Sequence, residues 1–365
     1  MNKVGIIGLG LIGGSIAKAL KQKCGTNHIT AMDLDRSILN KAFEEGVIDS
    51  FTTSIDSHFS DCNIIFLCIP VKKIALCVNK LIPFIKEECI LTDVGSTKNA
   101  IMNELGSLLD KSSIYFIGGH PMAGSEKMGY DASRGHLFEN AYYILTPNNK
   151  TPKTKLDILK DFITAIGAIP IVISPEYHDL ITASISHVPH IIASSLVHMV
   201  KTLDDTNKYM HLLAAGGFKD ITRIASSSPE MWHNICISNQ REILFVLDHF
   251  IEILTQFSSA INDNKDDAIW DFFESAKQYR DTFSNRSPGA FAKTYEIIID
   301  VVDEPGIIAN IATLLSNHKI NIKNIGIINS REYENGVLQI LFDKEDDRQK
   351  SVKLLKDTNY IIYKK

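Results

Sequence analysis

No two of the six cysteines (Cys24, Cys62, Cys68, Cys77, Cys89 and Cys236) form a C-x-x-C pair. Thiols scattered in this way suit a reducing compartment and exclude a disulfide framework or a zinc knuckle. Positive charge is not in excess either. The chain sets 38 Lys and Arg against 43 Asp and Glu, a net charge of −5, which leaves no broad electrostatic footprint for nucleic acid. An anionic substrate would need local cations to hold it. Repeats and low-complexity tracts are missing, and beyond the first residues no uninterrupted apolar run approaches the ~20 residues of a membrane span. The first twenty residues superficially resemble a secretory leader. However, Gly5, Gly8, Gly10, Gly13 and Gly14 would weaken its apolar helix, and a strand–turn–helix accounts for them better. With 45% hydrophobic and 22% charged residues, the composition is that of an ordinary globular protein rather than a disordered one. The expectation is a soluble, cytoplasmic chain without nucleic-acid or membrane partners.

What is present is a three-part organisation in 365 residues. Residues 1–173 alternate short β-branched runs (Val4–Ile7, Ile29–Asp33, Ile64–Ile69, Ile90–Val94, Tyr115–Ile117, Tyr142–Leu145, Ile169–Ile173) with amphipathic stretches such as Leu11–Lys23 and Thr97–Leu109. Near-continuous apolar strands alternating with helices predict an α/β domain, a parallel doubly wound sheet covered on both faces. From residue 174 to about 286 helical periodicity replaces strand signals. There Ile243, Leu247, Phe250, Leu254, Phe257 and Ile261 recur at spacings of four and three. That wide stripe suits either a buried helix of one subunit or helix packing across a homodimer, and a separate helical segment that must bury its faces favours the dimer. After the polar linker Ser284–Gly289, residues 293–365 read strand–helix–strand–strand–helix–strand, a ferredoxin-like α+β order.

Gly8-Leu9-Gly10-Leu11-Ile12-Gly13 follows the first strand and opens the first helix, and Asp33 closes the second strand twenty residues after Gly13. In that frame Gly8 permits the tight turn, Gly10 lets backbone approach a pyrophosphate, and Gly13 allows close helix–strand packing. Leu11 and Ile12 open the helix whose amino end meets the phosphate charge. Asp33 would accept hydrogen bonds from ribose hydroxyls and repel a 2′-phosphate, which favours NAD over NADP, with Arg36 a mild counter-signal.

Four further segments carry polar residues where such a sheet places its crevice. In Asp93-Val94-Gly95-Ser96-Thr97-Lys98, Ser96 is either a helix cap or a site residue. In Gly118-Gly119-His120-Pro121-Met122-Ala123-Gly124-Ser125-Glu126, a histidine bracketed by glycines is poor core filler and a plausible general base. In Ser186-His187-Val188-Pro189-His190 the histidines share a helix face. A metal pair has to be considered, but no acidic or thiol ligand lies near in sequence, so no metal is expected. Pro189 should kink the helix and aim both rings at a cleft. In Gly216-Gly217-Phe218-Lys219-Asp220-Ile221-Thr222-Arg223, the arginine is either a carboxylate clamp or an ordinary surface residue.

The order of Gly8-x-Gly10-x-x-Gly13, Asp93-x-Gly95-Ser96-x-Lys98, Gly119-His120-Pro121-Met122-Ala123-Gly124, Ser186-His187-x-Pro189-His190 and Gly217-Phe218-x-Asp220-x-Thr222-Arg223 resembles the prephenate dehydrogenases. The resemblance spans residues 1 to about 285. The tail, with Asp303-x-Pro305-Gly306-x-Ile308-Ala309 and Ile320-Asn321-Ile322, resembles an ACT domain. The resemblance implies NAD-dependent oxidative decarboxylation of prephenate to 4-hydroxyphenylpyruvate, within tyrosine biosynthesis. It implies His120 as the base, Ser96 as the residue that orients this histidine and the substrate hydroxyl and also lines the cofactor site, and Arg223 as the carboxylate-binding group. His187 and His190 would line the substrate pocket, with Ser125, Gly216 and Trp232 as weaker candidates. For the tail it implies an amino-acid site around Asp303, Pro305, Gly306, Asn310 and Asn321, where tyrosine would bind and inhibit, the alternative being a structural dimerisation module. Arogenate as substrate, or a non-catalytic NAD- and amino-acid-binding regulator, are the competing readings.

Overall fold

The strand segments Ile64–Leu67 and Ile90–Asp93 are buried at every residue, which requires a sheet covered on both faces. The computed structural model describes residues 3–24, 28–110, 112–124, 127–204, 206, 208–283, 295–301, 305–327, 336–358 and 360–364. The chain divides into two compact units, residues 1–259 and 260–365.

The first unit is built on eight strands: β1 (Lys3–Ile7), β2 (His28–Met32), β3 (Ser50–Thr52), β4 (Ile64–Leu67), β5 (Ile90–Asp93), β6 (Tyr115–Pro121), β7 (Tyr142–Pro147) and β8 (Ile169–Val172), in spatial order β3-β2-β1-β4-β5-β6-β7-β8. The order reverses between β1 and β4, the switch point at which doubly wound sheets bind ligands. Helices α1 (Leu11–Cys24), α2 (Arg36–Glu44), α3 (Val71–Leu81), α4 (Asn99–Leu109) and α5 (Lys153–Ala165) accompany it. One apolar core gathers Ile6, Ile16, Leu20, Phe66 and Tyr143, and a second gathers Ile65, Leu67, Val78, Leu91 and Leu105.

Two expectations need correction here. The sheet is not wholly parallel, because β7 runs antiparallel to β6. Among its described residues the β6–β7 connection carries a short 3₁₀ turn (Tyr130–Ala132) and no crossover helix, and without such a crossover a strand returns in the opposite sense. The strand β3, only three residues long, also falls outside the alternation read from sequence.

Beyond the sheet come α6 (Pro175–Thr182), a π-type turn at Ala183–His187, α7 (Val188–Leu203), α8 (Tyr209–Leu213), α9 (Gly216–Thr222), α10 (Pro229–Ser238) and α11 (Gln240–Asn262). α6 runs through the π turn into α7 without leaving helical backbone, and Pro189, which has no N–H to give to the ladder, falls two residues after that turn. Pro175–Leu203 and Gln240–Asn262 are each long and apolar enough, by length and composition, to cross a membrane. No uninterrupted run forewarns of this, because polar residues break both stretches. In the first of them, His178, Asp179 and His187 are buried and hydrogen-bonded within the protein.

The second unit contains α12 (Asp266–Thr282), β9 (Tyr295–Val301), α13 (Ile307–Asn317), β10 (Asn324–Ile327), β11 (Gly336–Phe342), α14 (Glu345–Asp357) and β12 (Ile361–Lys364). Its antiparallel sheet has the order β10-β11-β9-β12 around Ile297, Ile299, Ile311, Leu315, Leu338 and Phe342, the ferredoxin-like arrangement. Among the described residues, none of the six cysteines is in a disulfide.

Candidate active site

The glycine loop lies between β1 and α1. Gly8 has φ +95°, and a Cβ there would stand 2.4 Å from the Cys68 carbonyl oxygen, so only glycine fits. A Cβ on Gly13 would meet the Gly8 carbonyl oxygen at 2.0 Å, whereas one on Gly10 would meet nothing within 4 Å. The loop is closed on its protein side and open at Gly10, the room that a pyrophosphate against the free amides of Leu11, Ile12 and Gly13 requires. Asp33, at the end of β2, accepts the Leu9 amide at 2.8 Å through Oδ2 and the Asp35 amide at 3.0 Å through Oδ1, which fixes its carboxylate beside the loop. These residues fit a dinucleotide.

β5 and β6 are parallel, and their carboxyl ends lie on the same side of the sheet as the glycine loop. His120 is the sixth of the seven residues of β6, inside the strand rather than in a loop beyond it. The residue before it is clamped on both polar atoms. Asp93 Oδ1 accepts the Gly119 amide at 3.0 Å, and the Lys98 ammonium donates to the Gly119 carbonyl at 2.8 Å and pairs with Asp93 Oδ2. Both charged side chains are wholly buried. Burial pulls the Lys98 ammonium below its ordinary value, and Asp93 pulls it back. A side chain at position 119 would strike the Asp93 carbonyl at 2.5 Å, so the glycine is a requirement of this close approach.

The His120 ring joins a chain of polar groups. Its Nδ1 lies 2.8 Å from Nε2 of His178, and Nδ1 of His178 lies 2.8 Å from Oδ1 of Asp179. Asp179 also accepts the Lys98 amide at 2.7 Å and the Asn99 amide at 2.8 Å. It therefore caps α4 from α6, and the helix starts at Asn99 rather than at Thr97. Ser96 does not cap it; it is half-buried, between the end of β5 and the start of that helix. Burial above all, with the neighbouring His178, Lys98 and His187 side chains disfavouring a further positive charge, holds the His120 imidazole well below its ordinary pKa. A neutral, partly accessible imidazole is a proton acceptor.

A second wall lies on the π turn, α7 and α10. His187 is buried, its Nδ1 accepts Asn239 Nδ2 at 3.1 Å, and burial lowers its pKa to about 4. His190 stacks on Trp232 with ring centroids 3.9 Å apart, and His187 meets the same ring edge-on at 6.0 Å. The Trp232 Nε1–H is buried and makes no hydrogen bond among the described residues. Burial lowers the His190 pKa and the Arg223 charge adds to it; Arg223 is exposed and opens the Arg223–Ser226 turn, which packs against α7. Gly216 opens α9 beside open space, and no hydrogen bond among the described residues ties it to the histidines. Among the described residues no cluster of His, Cys, Asp and Glu could hold a metal ion.

Ser125 and Asp303 lie outside the described residues, as does the 284–289 linker. Pro305, Asn310 and Asn321 are exposed, and Gly306 (φ +99°) precedes α13. The sequence reading did not single out His178, Asp179 or Asn239. The available signal was an adjacent His–Asp pair directly before the apolar Leu180 and Ile181, which cannot be buried without partners.

The prephenate dehydrogenase nucleotide-binding domain model matches residues 16–172, the prephenate dehydrogenase dimerization domain model residues 174–278, and the ACT domain model residues 295–357. A prephenate dehydrogenase of Bacillus subtilis is 40% identical over 347 residues, covering 95% of this chain and 93% of its own. The solved prephenate dehydrogenase of Aquifex aeolicus, in complex with hydroxyphenyl propionate and NAD+, superposes with a TM-score of 0.72 at 33% identity, covering 77% of this chain and 97% of its own. The Synechocystis arogenate dehydrogenase structure gives 0.71 at 31%, covering 77% and 99%.

Proposed function

The chain belongs to the prephenate dehydrogenase family of NAD-dependent oxidoreductases, and on that footing we propose that it oxidises and decarboxylates prephenate to 4-hydroxyphenylpyruvate and CO2. The observation that carries the reading is the His120 ring at the carboxyl end of β6, tied through Nδ1 to His178. In that arrangement Nε2 is the nitrogen left for a substrate hydroxyl. Bound NAD+ supplies the hydride acceptor. His120 takes the hydroxyl proton, and loss of the ring carboxylate as CO2 aromatises the product. Arg223 offers a planar fork to a substrate carboxylate. His187 and the Trp232 Nε1–H line the wall beside it as neutral groups, and Ser96 orients the hydroxyl against His120. A positioned base of this kind contributes about 10²–10⁴-fold.

The test is NADH production by the purified chain on addition of prephenate and NAD+, with 4-hydroxyphenylpyruvate identified as product; no NADH would reject the reading. The similarity to the Synechocystis enzyme favours arogenate as the second reading, because Arg223 can hold a carboxylate common to both compounds. A comparison of kcat/KM on the two substrates decides between them.

We further propose a cytoplasmic homodimer inhibited by tyrosine through the ACT domain. Leu244, Ile251 and Leu254 expose about half their surface along α11, an apolar face that a second subunit would cover. Light scattering that returned a monomer would reject the dimer. A chain ending near Ser287 should lose tyrosine inhibition, and a full-length enzyme indifferent to tyrosine would reject the regulatory part.

A further inference from the structure

The Asp179–His178–His120 chain crosses from α6 to β6, and its direction follows from the chemistry of its end groups. The Asp179 carboxylate only accepts, so His178 Nδ1 carries the hydrogen of the 2.8 Å contact. A neutral His178 then has its lone pair on Nε2, and the 2.8 Å contact to His120 is filled only if His120 Nδ1 carries a hydrogen. That tautomer leaves the His120 lone pair on Nε2. We infer that His178 and Asp179 are positioning residues that hold His120 in the one tautomer able to take a proton through Nε2.

Asp179 is itself held, because the Lys98 and Asn99 amides fix both of its oxygens. Lys98 and Asp93 fix the backbone of Gly119 on the other side of the ring. The imidazole is therefore set in position by its backbone and in tautomer by α6. When the substrate O–H breaks and an N–H forms at Nε2, His120 becomes an imidazolium. Its charge is stabilised through the Nδ1–H bond to His178 and by the carboxylate behind it, and the proton stays on His120. The titratable groups facing the ring are His178 and Asp179 from α6, Lys98 and Asp93 from the β5–α4 segment, and His187 from the π turn. Of these, His178 is the one bonded to the ring.

The inference rests on the proposed reaction for its kinetic arm only, because the tautomer can be read without substrate. Ring nitrogens of the ¹⁵N-histidine-labelled full chain, assigned with His120→Asn, should show His120 protonated at Nδ1 and bare at Nε2. In His178→Phe the hydrogen should move to Nε2. With substrate and NAD+, His178→Phe should lose a hundredfold or more in kcat with both KM values within threefold. His178→Gln, which restores an acceptor where Nε2 stood, should recover most of it. Asp179→Asn should move the acidic limb of kcat/KM to lower pH, because the imidazolium loses its backing charge. A native His120 protonated at Nε2, or a His178→Phe enzyme within threefold of native kcat, would overturn the inference. Failure of the native chain to turn over prephenate would count against the reaction and leave the spectroscopic arm to decide the relay.

Discussion

Asn239 fixes the protonation state of His187. Its side-chain amide donates at 2.9 Å to the backbone carbonyl of Asp179 and at 3.1 Å to His187 Nδ1, so the amide orientation is settled by the carbonyl and His187 carries its hydrogen on Nε2. A buried imidazole that accepts at one nitrogen resists a second proton, in keeping with its pKa of about 4.

That value has a consequence for stability. The unfolded chain protonates this histidine near pH ~6.5, above the folded value, so between the two the unfolded state binds the extra proton. The contribution, on the order of 3 kcal/mol, is fully present above pH ~6.5 and is lost as pH falls towards 4. Burial of His120 acts in the same direction. Urea unfolding should therefore show a loss of stability across this window, and His187→Gln should flatten it. A native curve flat over the window would contradict the buried, neutral assignment.

His120→Asn removes the imidazole while keeping a polar side chain of similar reach. Turnover should fall by about 10²–10⁴-fold or more, with substrate and cofactor still bound. Binding measured by quenching of NADH fluorescence, alongside kcat, separates the two effects. Near-normal kcat would remove His120 from the role of base.

Arg223→Ala should act on binding. Losing a charge-assisted hydrogen bond costs about 1.5–3 kcal/mol, or roughly ten- to over a hundredfold in KM, with a smaller effect on kcat. An unchanged KM would return Arg223 to the status of an ordinary surface arginine.

The glycine loop, the two α/β layers and the ferredoxin-like tail were legible because each depends on local rules: strand periodicity, the spacing of turn glycines, and the order of elements. Gly8 and Gly13 are dictated by contacts within about a dozen residues or to the adjacent strand. The direction of β7 was not legible, since nothing in Tyr142–Leu145 encodes which way it pairs; the connection before it decides. Nor was the cap on α4, which comes from Asp179, 80 residues away from Asn99. His120 stood out by its glycine frame, but His178, 58 residues from it, reaches its ring only through the packing of α6 on the sheet.

Lys98→Met tests the clamp beneath His120. It leaves the wholly buried Asp93 carboxylate without its counter-charge, and breaking a buried pair by removing one partner costs about 3–5 kcal/mol. The expected result is a marked fall in the urea midpoint. The double variant with Asp93→Asn should lose less than the sum of the single changes, since the unpaired charge is gone. Additive losses would show that the two side chains act independently.

Asp33→Asn tests cofactor choice. The two amides that Asp33 accepts, from Leu9 and Asp35, can be served in part by the Asn side-chain oxygen, so the loop should keep its shape. What disappears is the negative charge that repels a 2′-phosphate. Removing one such repulsion, worth about 1.4 kcal/mol or more across a few ångströms of partly solvated space, corresponds to at least ~tenfold in affinity. The ratio of kcat/KM for NADP+ over NAD+ should rise by that factor, chiefly through the KM for NADP+, while Arg36 remains available to meet the phosphate. If the ratio does not move, discrimination at the end of β2 comes from shape rather than from the carboxylate's charge.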